Sequence, residues 1–154
     1  MSDPSQTGRR WIACGALLAA LAVVLGAFAA HGLDAWLVDQ FPGETRQIAG
    51  AEFPRAYKLI TDFRTGAEYQ MTHAIGLIAV GISMFRAPQA RGLRVAAWSF
   101  VIGILLFSGS LYGIALTGMS ALGAIAPLGG TAFIVGWVAF AMAMFRSGDE
   151  FSAA

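Results

Sequence analysis

Residues 95–145 read VAAWSFVIGILLFSGSLYGIALTGMSALGAIAPLGGTAFIVGWVAFAMAMF, and no charged side chain occurs between Arg94 and Arg146. An α-helix crosses the hydrocarbon core of a membrane with about 20 apolar residues. The stretch therefore has room for two transmembrane helices and the turn that joins them. We predict these spans at about 95–117 and 127–145.

Two further apolar stretches lie earlier in the chain, at about 11–30 and 65–85. The sequence is 57% hydrophobic and 12% charged, which is too apolar for a soluble globular protein. We therefore predict an all-α membrane protein with four transmembrane helices in a single domain, residues 1–154. The first stretch resembles a cleavable secretion signal after Arg10, but it is longer than the usual signal core of about 7–15 residues, which favours a retained span.

The distribution of arginine predicts how the four spans are oriented, because short cytoplasmic loops carry an excess of Arg and Lys. The linker at 86–94 contains three arginines and no acidic residue, whereas the loop at 31–64 mixes basic and acidic side chains. We therefore predict that this linker and both termini lie in the cytoplasm. The long loop would then lie on the outer side of the membrane.

This outer loop contains two stretches with apolar residues at helical spacing, separated by Pro42 and Gly43. The first stretch includes Leu33 and Leu37, and the second follows Pro54. We expect two short amphipathic helices that lie on the membrane surface. A loop folded over the mouth of the bundle is the alternative, and the sequence does not separate the two.

Small residues predict where the helices touch, because helices in lipid associate through surfaces that let their backbones approach closely. On the first span these residues are spaced by three or four positions: Gly15, Ala19, Ala22, Gly26 and Ala30. On the third span they are Ser99, Gly103, Ser110, Gly113 and Thr117, with Gly109 and Gly113 as a GxxxG pair. We expect these surfaces to contact neighbouring helices, a protein partner or a second copy of the chain.

The second predicted span carries its polar residues within one arc of the helix when residues are placed at steps of about 100°. They are Glu68, Tyr69, Thr72, His73, Gly76 and Ser83, and the opposite side carries Met71, Ala74, Ile75, Ile78, Ile82 and Phe85. Ionisable groups are costly inside a membrane and usually face the bundle interior or water. We therefore predict that the polar arc points inward.

The two histidines of the chain, His31 and His73, lie near the predicted outer ends of their spans, together with Glu68. Imidazole nitrogens and carboxylate oxygens are common ligands of divalent metals, so these three residues are candidate metal ligands. The alternative, which we favour, is that each imidazole hydrogen-bonds a neighbouring group. The single cysteine, Cys14, excludes an internal disulfide and a Cys-based metal cluster.

Several short motifs resemble one known family across nearly the whole chain. They are AFAAHGL (27–33), EYQMTHA (68–74), LFSGSLY (106–112), ALTG (115–118) and PLGG (127–130). In this order they resemble the small inner-membrane family catalogued as domain of unknown function 423, which looks related to a mitochondrial transmembrane protein. The resemblance implies a four-helix protein of the bacterial inner membrane and implies no biochemical activity. This sequence differs from the family in a longer first loop and in Thr72, where an aromatic residue is typical.

Three classes of function remain open. A non-catalytic structural or accessory bundle requires only the small-residue surfaces, and we favour it. A small transporter or channel, alone or as an oligomer, would use the polar arc, and a metal- or haem-binding membrane protein would use His31 and His73. The sequence has no HExxH pair, Ser-His-Asp set or phosphate-binding glycine loop, so an enzyme is disfavoured and no cofactor is implied. A net charge of +1, with arginines that flank apolar spans, gives no indication of nucleic-acid binding.

Overall fold

A computed structural model describes residues 4–87 and 90–152, most of which are helical. The helices are α1 (Pro4–His31), α2 (Leu33–Gln40), α3 (Arg55–Ser83), α4 (Arg91–Gly103), α5 (Gly109–Thr117) and α6 (Ala126–Ser152). A π-helical segment, Ile104–Ser108, joins α4 to α5 without a break, and a 3-10 helix, Ser120–Ala124, precedes α6. Two short strands, β1 (Thr45–Ile48) and β2 (Ala51–Pro54), pair between α2 and α3.

Helices occupy all four of the predicted spans, although residues 88–89 of the predicted linker lie outside the described residues. In the described part of the chain, three helical stretches are long and apolar enough to cross a membrane: Gln6–His31, Arg91–Thr117 and Ser120–Arg146. Helix α3 is long but is not among them. Its middle section contains Glu68, Gln70 and His73, and these polar side chains lower its hydropathy.

The long loop differs from the prediction in two ways. Helix α2 forms as expected, but the second amphipathic stretch is not a separate helix, because it continues into the predicted second span as α3. A β-hairpin that the all-α prediction missed fills the space between them. Its turn residues Ala49 and Gly50 have φ values of 50° and 83°, which suits a two-residue hairpin turn. Since almost all residues of both strands are exposed, the sequence lacks the alternation that normally reveals a strand.

The bundle consists of two antiparallel helix pairs, α1 with α3 and the continuous α4–α5 rod with α6. Helix α3 and the α4–α5 rod also contact each other and form the centre. Residues 32–54, which we call the cap, cover one end of the bundle. Buried Leu33 and Leu37 of the cap pack there with Leu59, Phe63 and Ile114.

Helix α1 contacts α3 through small residues that recur every seven positions. They are Gly8, Gly15, Ala22 and Ala29, and all four are buried. A Cβ built on Gly15 would lie 2.7 Å from the Ala74 carbonyl oxygen, so the two backbones are in close contact. Of the predicted stripe, Gly15 and Ala22 therefore face α3, whereas Gly26 and Ala30 contact no other helix of the bundle that the structure describes, and their contact with a partner or a second copy stays a prediction. Ala30 is exposed, and nothing within the described residues lies within 4 Å of a Cβ at Gly26. A strict seven-residue repeat is typical of helices that pack with a left-handed twist. The predicted stripe includes residues between these repeat positions, and those at 26 and 30 lie off the face that contacts α3.

The α4–α5 rod contacts α6 where glycines meet phenylalanine rings. A Cβ on Gly136 would lie 2.6 Å from a ring carbon of Phe100, and a Cβ on Gly103 would collide with the ring of Phe133. The Gly109–Gly113 pair does not form a close helix contact within the described bundle, and its contact with a partner stays a prediction. Gly109 is exposed, with nothing in the described chain within 4 Å of its Cβ position, and Gly113 faces Leu122 in the 3-10 helix.

Candidate polar site in the bundle interior

Gln70 is the centre of a buried polar cluster between three helices. Its side chain is 2% exposed, and its amide nitrogen donates a hydrogen bond of 2.8 Å to the carbonyl oxygen of Leu18 in α1. The hydroxyl of Tyr112 in α5 donates to the Gln70 amide oxygen over 3.0 Å. A buried amide is costly unless its groups are paired, and here both the donor and the acceptor sides have partners.

His73 lies one turn further along α3, inside a group of aromatic rings. It is 4% exposed, and its Nδ1 lies 2.7 Å from the Tyr69 carbonyl oxygen. A carbonyl only accepts hydrogen bonds, so Nδ1 carries the proton in this contact. The imidazole stacks on Phe133 with ring centroids 3.4 Å apart and an interplanar angle of 10°. Phe100 and Trp137 complete its surroundings, with centroids at 5.6 and 6.0 Å.

The predicted polar arc of the second span is only partly correct. His73 and Gly76 are buried as expected, but Glu68 and Thr72 are exposed. Ala74, which the sequence analysis assigned to the opposite side, is fully buried. Gln70 lies on the same buried face of α3 as a row of small and apolar residues spaced by three or four positions. They are Phe63, Ala67, Ala74, Leu77 and Gly81. This apolar spacing was the signal that could have identified Gln70, which the sequence analysis missed.

The three candidate metal ligands lie in different environments. His31 is exposed at the end of α1, Glu68 is exposed on α3, and His73 is enclosed by aromatic rings. Among residues 4–87 and 90–152, no group of three His, Cys, Asp or Glu side chains is arranged to hold a metal ion. Metal binding by His31 and His73 stays a prediction, and the structure places only His73 within the bundle.

Ser108 ends the π-helical segment and is fully buried. Its hydroxyl oxygen has no hydrogen-bond partner within the described part of the chain, whereas the nearby Ser110 donates to the Phe107 carbonyl oxygen. Sequence analysis gave no sign of this segment. π-Helical turns inside α-helices are frequent at functional sites, which makes this the second notable polar feature of the interior.

Arg55 attaches the cap to the end of α5. Its guanidinium donates to the Gly118 carbonyl oxygen over 2.9 Å and forms an ion pair with Glu44. It also lies over the ring of Phe41, 4.3 Å from the ring centroid. Gly118 has a φ of 70°, so it terminates α5 in the left-handed conformation and presents its carbonyl to Arg55. The cap is thus held by polar contacts as well as by its buried leucines.

Comparison with known proteins identifies relatives over almost the full chain. A family model described as "Protein of unknown function (DUF423)" matches residues 25–130. The UPF0382 membrane protein YwdK of Bacillus subtilis is 38% identical over 88% of this chain and 96% of the relative. A UPF0382 membrane protein of Haemophilus influenzae is 37% identical over 90% of this chain and 95% of the relative. No solved structure matches the chain significantly.

Proposed function

We infer that this chain, which belongs to the DUF423 family of membrane proteins, is a four-span bundle of the bacterial inner membrane with a non-catalytic, accessory role. The membrane assignment rests on the names of the relatives and on the three long apolar helices. The fourth span would be α3. Both termini would lie in the cytoplasm, as the arginines of residues 86–94 indicate.

The observation that carries the accessory role is the dense filling of the bundle interior. The His73 ring stacks on Phe133, and Phe100 packs against Trp137 with ring centroids 4.8 Å apart. Gln70 is hydrogen-bonded on both its donor and its acceptor side. An interior occupied by rings and by satisfied polar groups supports a packed scaffold better than a permeation path.

The outer surface of α1 supports a role in binding another membrane protein. This helix packs mainly against α3 and directs Leu17, Leu21 and Val24 away from the bundle. Leu17 is 73% exposed. In a membrane such a surface contacts lipid or a helix of another protein. We propose that a partner binds on this side of α1, because the small residues Gly15 and Ala22 on the other side are already buried against α3.

The test is photo-crosslinking of the full chain in cells, with a photoreactive amino acid at Leu17 or Leu21. We expect one adduct of constant mass, which co-purifies in mild detergent at a fixed ratio to the chain. An adduct of twice the mass of the chain would identify the partner as a second copy. Ala22 is the matched control, because it is buried on the other side of the same turn and should crosslink only within the chain. Adducts with lipid alone at both exposed positions would contradict the accessory role.

The other functions considered from the sequence stay predictions. A transport path through one copy of the chain would require displacement of Phe133 and Phe100 from their contacts with His73. A path between copies would instead use surfaces on the outside of the bundle. Metal or haem binding would require His31 and His73 to act at a common site.

A further inference from the structure

A cleft of about 320 Å³ lies between the β-hairpin, the start of α3 and the end of α5. Its polar lining includes Glu44, Thr45, Arg46, Arg55, Lys58 and Ser120. The lining therefore brings three cationic side chains and one carboxylate to a space large enough for a small headgroup. None of these residues belongs to the interior polar cluster around Gln70.

Ion pairs occupy two of the three cationic side chains of the cleft, and a further carboxylate, Glu52, accepts a hydrogen bond from the lining residue Thr45. Glu44 pairs with Arg55, and Lys58 pairs with Asp62 on the next turn of α3. Arg46 is exposed on β1 and forms no ion pair with any residue that the structure describes. The Lys58 side chain remains partly exposed in its pair with Asp62, so it can also reach an anion in the cleft. Arg46 and Lys58 are therefore the groups available to a negatively charged ligand.

Exposed aromatic side chains beside the cleft indicate that it lies at the level of lipid headgroups. Phe53 is the strand partner of Arg46, and its ring stacks on Tyr57 with centroids 6.1 Å apart. Both rings are exposed, Tyr57 by 60%. Aromatic residues of this kind are enriched where the membrane meets water. The cleft also borders Gly118, where the apolar stretch Arg91–Thr117 has just ended.

We propose that this cleft binds the phosphate group of an anionic phospholipid in the leaflet on the cap side of the membrane. Arginine and lysine form charge-assisted hydrogen bonds with phosphate oxygens, and basic pockets at the ends of transmembrane helices bind anionic headgroups. Arg46 and Lys58 hold the phosphate, and the Ser120 hydroxyl lies in the same lining to bind a headgroup hydroxyl. A choline headgroup would bring its own positive charge against these side chains, so the site selects anionic lipids.

The test measures lipid binding to the delipidated full chain in detergent by native mass spectrometry. The probes are dioctanoyl phosphatidylglycerol, dioctanoyl phosphatidylcholine and inorganic phosphate. We expect phosphatidylglycerol to bind the original protein about tenfold more tightly than the Arg46→Gln/Lys58→Gln variant, which loses two charge-assisted contacts. The Arg46→Gln variant alone should show part of this loss, and it breaks no ion pair among the described residues.

The matched control is Arg9→Gln/Arg10→Gln, which removes the same charge from exposed positions on α1, at the opposite end of the bundle. This control should bind phosphatidylglycerol as the original protein does. Equal binding of phosphatidylglycerol by the cleft variant and the original protein would overturn the proposed site. Equal affinity for both lipids would overturn the selection for negative charge. Inorganic phosphate that binds as tightly as phosphatidylglycerol and displaces it would overturn the assignment to a lipid.

Discussion

Tyr112 in α5 donates a hydrogen bond of 3.0 Å to the side chain of Gln70 in α3, and the same Gln70 donates to the Leu18 carbonyl oxygen of α1. One amide therefore links three helices that are far apart in the sequence. In a membrane protein, where the hydrophobic effect does not drive one helix against another, such bonds help to fix which faces meet. The link also defines how α5 is rotated relative to α3.

We predict that Gln70 and Tyr112 are energetically coupled. Tyr112→Phe leaves the Gln70 amide oxygen unpaired and should lower the free energy of unfolding by about 1 kcal/mol, and Gln70→Leu by a similar amount. The double variant should lose less than the sum of the two, because the partners share one bond. Unfolding in detergent measures these effects. Tyr57→Phe, at an exposed tyrosine, is the control and should have little effect; fully additive losses for the pair would show that the bond contributes nothing.

The close contact between α1 and α3 predicts opposite results for two glycines of the same helix. Gly15→Ala places a methyl group 2.7 Å from the Ala74 carbonyl oxygen, so the helices must separate and the thermal stability in detergent should fall. Gly26→Ala meets nothing in the described chain and should be neutral or slightly stabilising, because alanine favours a helix over glycine by about 1 kcal/mol. Equal destabilisation by both variants would contradict the arrangement in which Gly15 faces α3 and Gly26 does not.

The proposed orientation of the bundle predicts which residues are accessible from outside the cell. We replace Cys14 and introduce single cysteines at Gln47 in the hairpin, Ser120 in the 3-10 helix and Gln89 in the linker. An impermeant thiol reagent added to intact cells should label Gln47→Cys and Ser120→Cys and should not label Gln89→Cys. The reverse pattern would show that the cap faces the cytoplasm.

Replacement of His73 should destabilise the protein more than replacement of Glu68, because His73 is buried among aromatic rings and Glu68 is exposed. His73→Ala removes the ring that stacks on Phe133 and should destabilise the protein, since an aromatic pair contributes about 0.5–1.5 kcal/mol beyond its buried area. Glu68→Gln changes an exposed side chain and should be nearly silent, contrary to what an inward polar arc implies. If Glu68→Gln lowers the stability as much as His73→Ala does, the prediction that the polar arc points inward would be supported instead.

Metal analysis of the same proteins, prepared without chelator, tests the metal hypothesis separately. About one equivalent of a divalent metal, lost in both His31→Ala and His73→Ala, would support a site that uses both histidines. We expect no bound metal, because His31 is exposed and His73 is enclosed by rings. If metal is found, the stability loss of His73→Ala will include the loss of the bound metal as well as that of the stacked ring.

The helices could be predicted from the sequence because long uncharged stretches have few alternatives to a transmembrane helix. The faces were harder to predict, as residues 68–74 illustrate. The polarity of the residues predicts that Glu68 and Thr72 face the interior, but both are exposed. The buried polar residue is Gln70, and its partner Tyr112 is distant in the sequence. The hairpin around Ala49 escaped prediction because its strands have no buried side. Local patterns cannot report contacts that only the assembled bundle creates.

The π-helical segment Ile104–Ser108 determines where the α4–α5 rod can lose a residue. A π-helical turn holds one residue more than the α-helical path needs, and each residue of an α-helix turns the chain by about 100°. Deletion of one residue within 104–108 would restore an unbroken α-helix while leaving Phe100 in its place against α6. It would also leave α5 close to its present rotation, with Tyr112 still opposite Gln70, because the π turn had absorbed the residue that is removed. A single deletion should therefore be tolerated in this segment far better than in the regular turns of α4 or α5, where it would rotate the rest of the rod by about 100°.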